Sequence, residues 1–333
     1  MSFAQWKNNR KATDGAPQIA VSRDFLEECP RLPVVYGALA QGLDIARWYG
    51  DHEQQVQSDL SAHGAVLFRG FRVLGQGEFE RFVQIAIRET AAYIEGATPR
   101  TQLKKGIYTS TEFPADQEIA PHNELSYVTH PPAKIAFCCL VAPQEGGQTP
   151  IVDVSRVYAR VDPELVEEFE ARGGWMLRRN YDGDFGPPVH KAFGTDSLDE
   201  IKAYCDRANI RLEVGPGGRI ATEQVRAAVH RHPRTGVPVW FNHVAFWHPS
   251  SLCPSVRARF DEIFSIREFP YGTWFGDGTP IPDTHIAALR QAYRDEEVKF
   301  SWRAGDILLL DNWRVAHGRK PFVGERKVIV AMG

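Results

Sequence analysis

Residues 305–332 read GDILLLDNWRVAHGRKPFVGERKVIVAM. Short apolar runs bounded by glycine, asparagine and proline read as strands, so Asp306–Asp311 and Lys327–Met332 are predicted to close the chain, preceded by Val298–Trp302. The apolar strand delivers His317, and the return strand begins nine residues later at Arg326. A histidine and an arginine are thus expected to converge at one end of a β structure.

Working back from this segment, Ala65–Arg69, Lys134–Val141, Ile151–Val154, Trp175–Asn180 and Val237–Asn242 carry the same strand signature. Helices are predicted over the segment GEFERFVQIAIR, over Pro163–Arg172 with its proline start and glycine stop, and over Pro254–Phe264 and Thr284–Arg294. Ser155 is expected to cap a short helical turn. The first sixty residues read as an irregular extension, and the stretch at about 183–233 as an insertion of helices and loops. The expectation is one decorated domain over 61–333, mainly β with helical insertions.

The 333 residues are 43% hydrophobic and 24% charged, enough to bury a core. The 39 basic and 42 acidic side chains form no long block of one sign, which excludes nucleic acid as the main partner. The longest apolar run, Ile135–Ala142, falls far short of the roughly 20 residues a membrane-spanning helix needs. The N-terminal MSFAQWKNNRK has no apolar stretch after its basic residues, so no secretory signal is expected and the cytoplasm is the expected location. Five scattered cysteines without a C-x-x-C pair argue against a disulfide framework and a thiolate zinc site. Cys138 and Cys139, adjacent on a strand, must point to opposite faces.

Side chains two apart on a strand share a face and can ligate one ion. Among 11 histidines only His122 is followed two residues on by a carboxylate, Glu124. One such pair is expected by chance in this composition, so the signal needs His317 beside it. Two histidines and a carboxylate on one face of iron(II) leave positions open for a chelating co-substrate and oxygen. An arginine near that metal, Arg326, suits the distal carboxylate of 2-oxoglutarate through its planar guanidinium.

These residues lie in segments with a wider likeness. YTSTEFPA (108–115), PHNELSY (121–127), IAFCCLVAPQEGGQTPIVD (135–153), HPRTGVPVWFN (232–242), FGDGTPI (275–281) and the 305–327 segment resemble the TauD/TfdA family of iron(II)/2-oxoglutarate-dependent oxygenases over most of 65–333. Within it the chain is most similar to the syringomycin-type hydroxylases of nonribosomal peptide pathways. The resemblance implies a double-stranded β-helix, or jelly roll, with His122, Glu124 and His317 as iron ligands. It implies that Arg326 and Thr149 hold 2-oxoglutarate, with Arg319 as the alternative arginine, since the spacing after His317 is shorter than in taurine dioxygenase. Glutamate replaces that enzyme's aspartate, as in the clavaminate-type branch. A carboxylate at 124 disfavours halogenation, whose enzymes leave that position vacant.

The implied reaction consumes 2-oxoglutarate and O2 and hydroxylates an aliphatic C–H bond of an amino acid or amino-acid-derived small molecule, free or held on a peptidyl carrier protein, in antibiotic-type secondary metabolism. Desaturation, epoxidation or cyclisation by the same site is the alternative outcome. A metal-binding scaffold or a zinc hydrolase is the competing class, and Arg326 weighs against it.

Asn242 and Trp240 are the candidate substrate contacts, and His243 reads as core or pocket wall. The glycine-rich YGTWFGDGTPI (271–281) suits a lid. Arg100, Lys104 and Lys105 read as a solvated cationic face or as a steering patch for an anionic substrate.

Overall fold

The computed structural model describes residues 20–27, 29–91, 93–96, 100–110, 113–181 and 188–333. The N-terminal segment read for a secretory signal lies outside them.

Period-two alternation builds the largest sheet. In the strand Ile307–Asp311, Leu308 and Leu310 enter one apolar cluster while Ile307 and Leu309 enter another. Lys134–Val141 divides likewise, with Phe137 and Cys139 on one side and Ala136 and Cys138 on the other. Both faces are covered, which is why these strands are apolar almost throughout. The sheet has eight strands, in the order Val21–Leu26, Cys29–Ala38, Ala65–Arg69, Ile307–Asp311, Lys134–Val141, Lys327–Met332, Ile107–Thr109 and Gln102–Lys104.

From residue 20 onward the N-terminal stretch is not irregular. Cys29–Ala38 pairs parallel with Ala65–Arg69, a pairing that needs a crossover. Helix Ile45–His63 provides it, with Asp44 accepting the Arg47 backbone N–H at its start. It ends at Gly64, whose φ of 79° is the left-handed conformation that glycine adopts freely. This helix and Gln76–Ala86 cover the outer face of the sheet, where Tyr49 and Phe82 meet Phe68. Few signals of that unit stand out in the sequence, because its strand Cys29–Ala38 contains two prolines.

A smaller sheet, Ile119–His122, Val315–Arg319 and Ile151–Asp153, lies over the inner face of the large one. The ring of Phe137 from the large sheet stands 4.9 Å from that of His317 in the small one. The two sheets with their helical additions form the jelly roll.

Five local expectations are corrected. The 183–233 stretch supplies the strands Ile210–Val214 and Ile220–Arg226, which join Trp175–Tyr181 and Tyr271–Phe275 in a four-stranded sheet. The segment read as a lid is therefore a mostly buried strand and its turn, held by the ladder to Trp175–Arg179. Val298–Trp302 forms only a bridge from Val298 to Ile151, and within Val237–Asn242 only Pro238–Val239 pairs. The cap of Val154–Arg160 is the Asp153 carboxylate, which accepts from the Ser155 N–H and hydroxyl.

Candidate metal centre

His122 ends its strand and His317 lies mid-strand directly opposite, as cross-strand partners. Their rings are 4.7 Å apart. The ladder slips between His317 and Arg319, and a bulge of this kind re-aims side chains. Only glycine fits within the slip: a Cβ on Gly318 would lie 2.4 Å from the Ile119 carbonyl oxygen.

Glu124 reaches the same point by a different route from the one its spacing suggests. The strand stops at His122, so Glu124 lies beyond it, in a loop. The fully buried Asn312 fixes that loop: its Oδ1 accepts the Glu124 N–H at 2.8 Å, and its Nδ2 donates to the carbonyls of Glu124 and Pro132. Asn123 Nδ2 donates to the Asn312 carbonyl in return. Next in the chain, Leu125 takes a φ of 53°, a conformation costing a side-chain-bearing residue about 1–2 kcal/mol.

One ligand atom from each of His122, Glu124 and His317 lies within 4.8 Å of the others. The Glu124 carboxylate is 3.6 Å from His317 Nε2. His122 Nδ1 is 2.9 Å from the Ala120 carbonyl and donates to it, so the Nε2 lone pair is left free. Burial and the neighbouring His317 ring push the His122 pKa down to about 4, keeping it neutral. Burial alone would raise the Glu124 pKa, but Arg100 and His317 hold it well below the carboxylate range. Two imidazoles and an ionised carboxylate on one face are the donor set that suits a divalent iron with open positions.

The cleft beside the triad is narrow, with a cavity volume of about 30 Å³. Thr149 and Arg326 both line it. Trp302 Nε1 donates to Thr149 Oγ, which leaves the threonine hydroxyl hydrogen to donate elsewhere. Arg326 donates to the Gly147 carbonyl, and no carboxylate of the described residues pairs with it. Burial and the nearby Arg319 lower its pKa to about 10, so it remains a cation at neutral pH. Arg319, the alternative, already donates to the carbonyls of Phe113, Pro114 and Gln117. A larger hollow of about 340 Å³ beside helix Leu198–Arg207 has no such ligand set among the described residues.

Asn242 and Trp240 are not among the residues lining the cleft. Asn242 holds backbone, donating to the Ala228 carbonyl and accepting from the Val244 N–H, and Trp240 packs edge-on against Phe169 in the core. His243 shares a 2.6 Å hydrogen bond with Ser126 Oγ and stands one ring away from His122. The cationic trio divides. Lys104 is exposed and paired with Glu80, and Lys105 is exposed. Arg100, however, is buried in the cleft, and its Nη2 lies 2.7 Å from the Glu124 carboxylate. Nothing in the sequence around Arg100 separates it from the two lysines; Asn312, beside the turn before His317, reads only as turn punctuation.

The chain is similar to several known proteins. The model of the family described as "Taurine catabolism dioxygenase TauD, TfdA family" matches residues 30–332. The chain is 36% identical over 310 residues to a dapdiamide synthesis protein of Enterobacter agglomerans, covering 93% of each. It is 30% identical over 286 residues to a clavaminate synthase-like protein of Arabidopsis thaliana, covering 83% of each. Among solved structures, PvcB of Pseudomonas aeruginosa superposes with a TM-score of 0.56 at 18% identity, covering 95% of this chain and 92% of that one. PvcB is described as an Fe, alpha-ketoglutarate dependent oxygenase from an isonitrile synthetic pathway.

Proposed function

The chain belongs to the TauD/TfdA dioxygenase family, and we propose that this oxygenase of secondary metabolism hydroxylates an aliphatic C–H bond of an amino-acid-derived small molecule. It is an iron(II)- and 2-oxoglutarate-dependent dioxygenase. The observation that carries the residue assignment is the cluster of His122, Glu124 and His317, whose two histidines line one cleft with Arg326, a cation that no carboxylate of the described residues pairs.

The residues fit the group they would hold. His317, neutral His122 and ionised Glu124 would bind iron(II) through three donors on one side. Bound there, iron supplies the reduction of O2 that is coupled to oxidative decarboxylation of 2-oxoglutarate to succinate. Arg326 would bind the far carboxylate of 2-oxoglutarate as a bidentate partner, and Thr149 would donate its hydroxyl hydrogen to the same group. Phe137 packs on His317 and Phe246 on His122, giving the triad an apolar wall. We read residues from about 20 onward as one oxygenase domain. We place it in the cytoplasm, since none of the five cysteines is in a disulfide and no helix among the described residues is long and apolar enough to cross a membrane.

Anaerobic titration of the protein with iron(II) and 2-oxoglutarate tests the site. A visible metal-to-ligand charge-transfer band is expected, and its absence while iron still binds would return the hydrolase or scaffold reading. Mass spectra of turnover products then decide the outcome: gain of one oxygen supports hydroxylation, whereas loss of two hydrogens identifies desaturation or ring closure.

A further inference from the structure

Arg100 has a side chain 3% exposed, and a buried cation is stable only when its charge and its donors are answered. One nitrogen, Nη2, meets Glu124. Nε and Nη1 are buried without an acceptor among the described residues. The face of the guanidinium stacks on Tyr93, with 4.7 Å from its carbon to the ring centre, so the plane is fixed and the idle donors cannot swing to solvent. Earlier in the chain, the fully buried Arg179 donates to the carbonyls of Glu95 and Gly96.

The charge of the cleft points the same way. Arg100, Arg319 and Arg326 line it, no carboxylate is among its described lining residues, and Glu124 stands beside it as the partner of Arg100. A divalent cation and dianionic 2-oxoglutarate cancel one another, and the positive excess of the lining persists. With Glu124 shared with the metal, Arg100 loses part of its only counter-charge. Arg319 is spent on main-chain carbonyls and Arg326 is assigned to the co-substrate.

We propose that Arg100 is the binding residue for a free carboxylate of the primary substrate, so that the enzyme acts on a free acid and not on an aminoacyl thioester held by a carrier protein. This rests on the oxygenase reading above and deepens it. A thioester carbonyl carries no negative charge and accepts weakly, so it would leave both the idle donors and the cation unanswered. A carboxylate satisfies them in the planar geometry that guanidinium favours.

The test uses the whole protein with iron(II) and 2-oxoglutarate under argon. The common α-amino acids, their N-acyl derivatives, their carboxamides and their N-acetylcysteamine thioesters are titrated in while the charge-transfer band is followed. One or more free acids are expected to shift the band, with the matching carboxamide and thioester binding at least about tenfold more weakly. Because Arg100 also pairs with Glu124, Arg100→Gln is expected to lower the melting temperature and weaken the band, so the preference is read within each variant as the ratio of acid to amide binding; Arg100→Gln loses that ratio, and Arg100→Lys, which keeps the charge, recovers part of it. The inference is overturned if the band forms but no free acid shifts it, if amides or thioesters bind as tightly as acids, or if Arg100→Gln keeps the acid preference. Failure of the band to form in the unaltered protein is a different result: it removes the oxygenase reading and this inference with it.

Discussion

The side chain of Asn312 grips Glu124 at both ends of its backbone, accepting from its N–H at 2.8 Å and donating to its carbonyl at 2.9 Å. The carboxylate thus owes its position to an asparagine 188 residues away in sequence. Asn312→Ala removes three hydrogen bonds that the side chain makes in a fully buried place. Supporting groups of this kind are worth about 10–100-fold in metal affinity, and their loss leaves buried backbone groups unpaired at about 1–3 kcal/mol each. Weaker iron(II) binding is expected by titration, with a lower melting temperature. Unchanged affinity would show that the Glu124 loop holds its shape without Asn312.

Arg326 and Arg319 are separable although both line the cleft. Arg326→Ala is expected to raise the 2-oxoglutarate concentration needed for half-maximal charge-transfer absorbance by about tenfold or more, the loss of a bidentate ionic partner. Arg319→Ala is expected to lower the melting temperature instead, since it frees the carbonyls of Phe113, Pro114 and Gln117. The opposite pattern would transfer the co-substrate role to Arg319.

What the sequence shows of this molecule follows the physics of each signal. Lys134–Val141 and Lys327–Met332 are legible to the residue because a strand buried on both faces is apolar throughout. His122, Glu124 and His317 are legible as residue types at suggestive spacings, though the strand geometry behind the first pair is not what places Glu124. Tyr271–Phe275 and Ile220–Arg226 are hidden by glycine and polar residues that read as loop, since pairing with Trp175–Tyr181 is a tertiary fact. Arg100 is hidden for the same reason: burial of a cation depends on what folds over it, and Tyr93 and Glu124 come from other segments.

Stability should fall in acid through Glu296. Burial alone would raise its pKa, but Arg156, Arg160 and Arg31 outweigh that and hold it at about 2, against 4.5 ordinarily. A carboxylate with a lowered folded pKa stabilises the fold above its unfolded value, and that contribution is lost as pH falls from about 4.5 towards 2. The arginines are partly exposed and water screens them, so about 1–2 kcal/mol is expected. Urea midpoints between pH 6 and 3 should decline more steeply for the natural chain than for Glu296→Gln. Parallel curves would assign the acid sensitivity to other carboxylates.

Gly318 offers the sharpest test that the two histidine strands must touch. A methyl group there would lie 2.4 Å from the Ile119 carbonyl oxygen and 3.1 Å from both the Pro121 nitrogen and a Pro150 ring carbon. Main-chain atoms cannot step aside as a flexible side chain would, so Gly318→Ala must push Ile119–His122 away from Val315–Arg319. Overpacking of this kind costs about 1–3 kcal/mol. The larger effect falls on the metal site, because His122 and His317 are opposed across that ladder and spreading it separates their nitrogens. Iron(II) binding is expected to drop by more than the loss in stability accounts for, while a Gly50→Ala control, where nothing lies within 4 Å of the added carbon, leaves it unchanged. Full iron affinity in Gly318→Ala would mean that the loop holding Glu124, and not the register of the two strands, sets the triad.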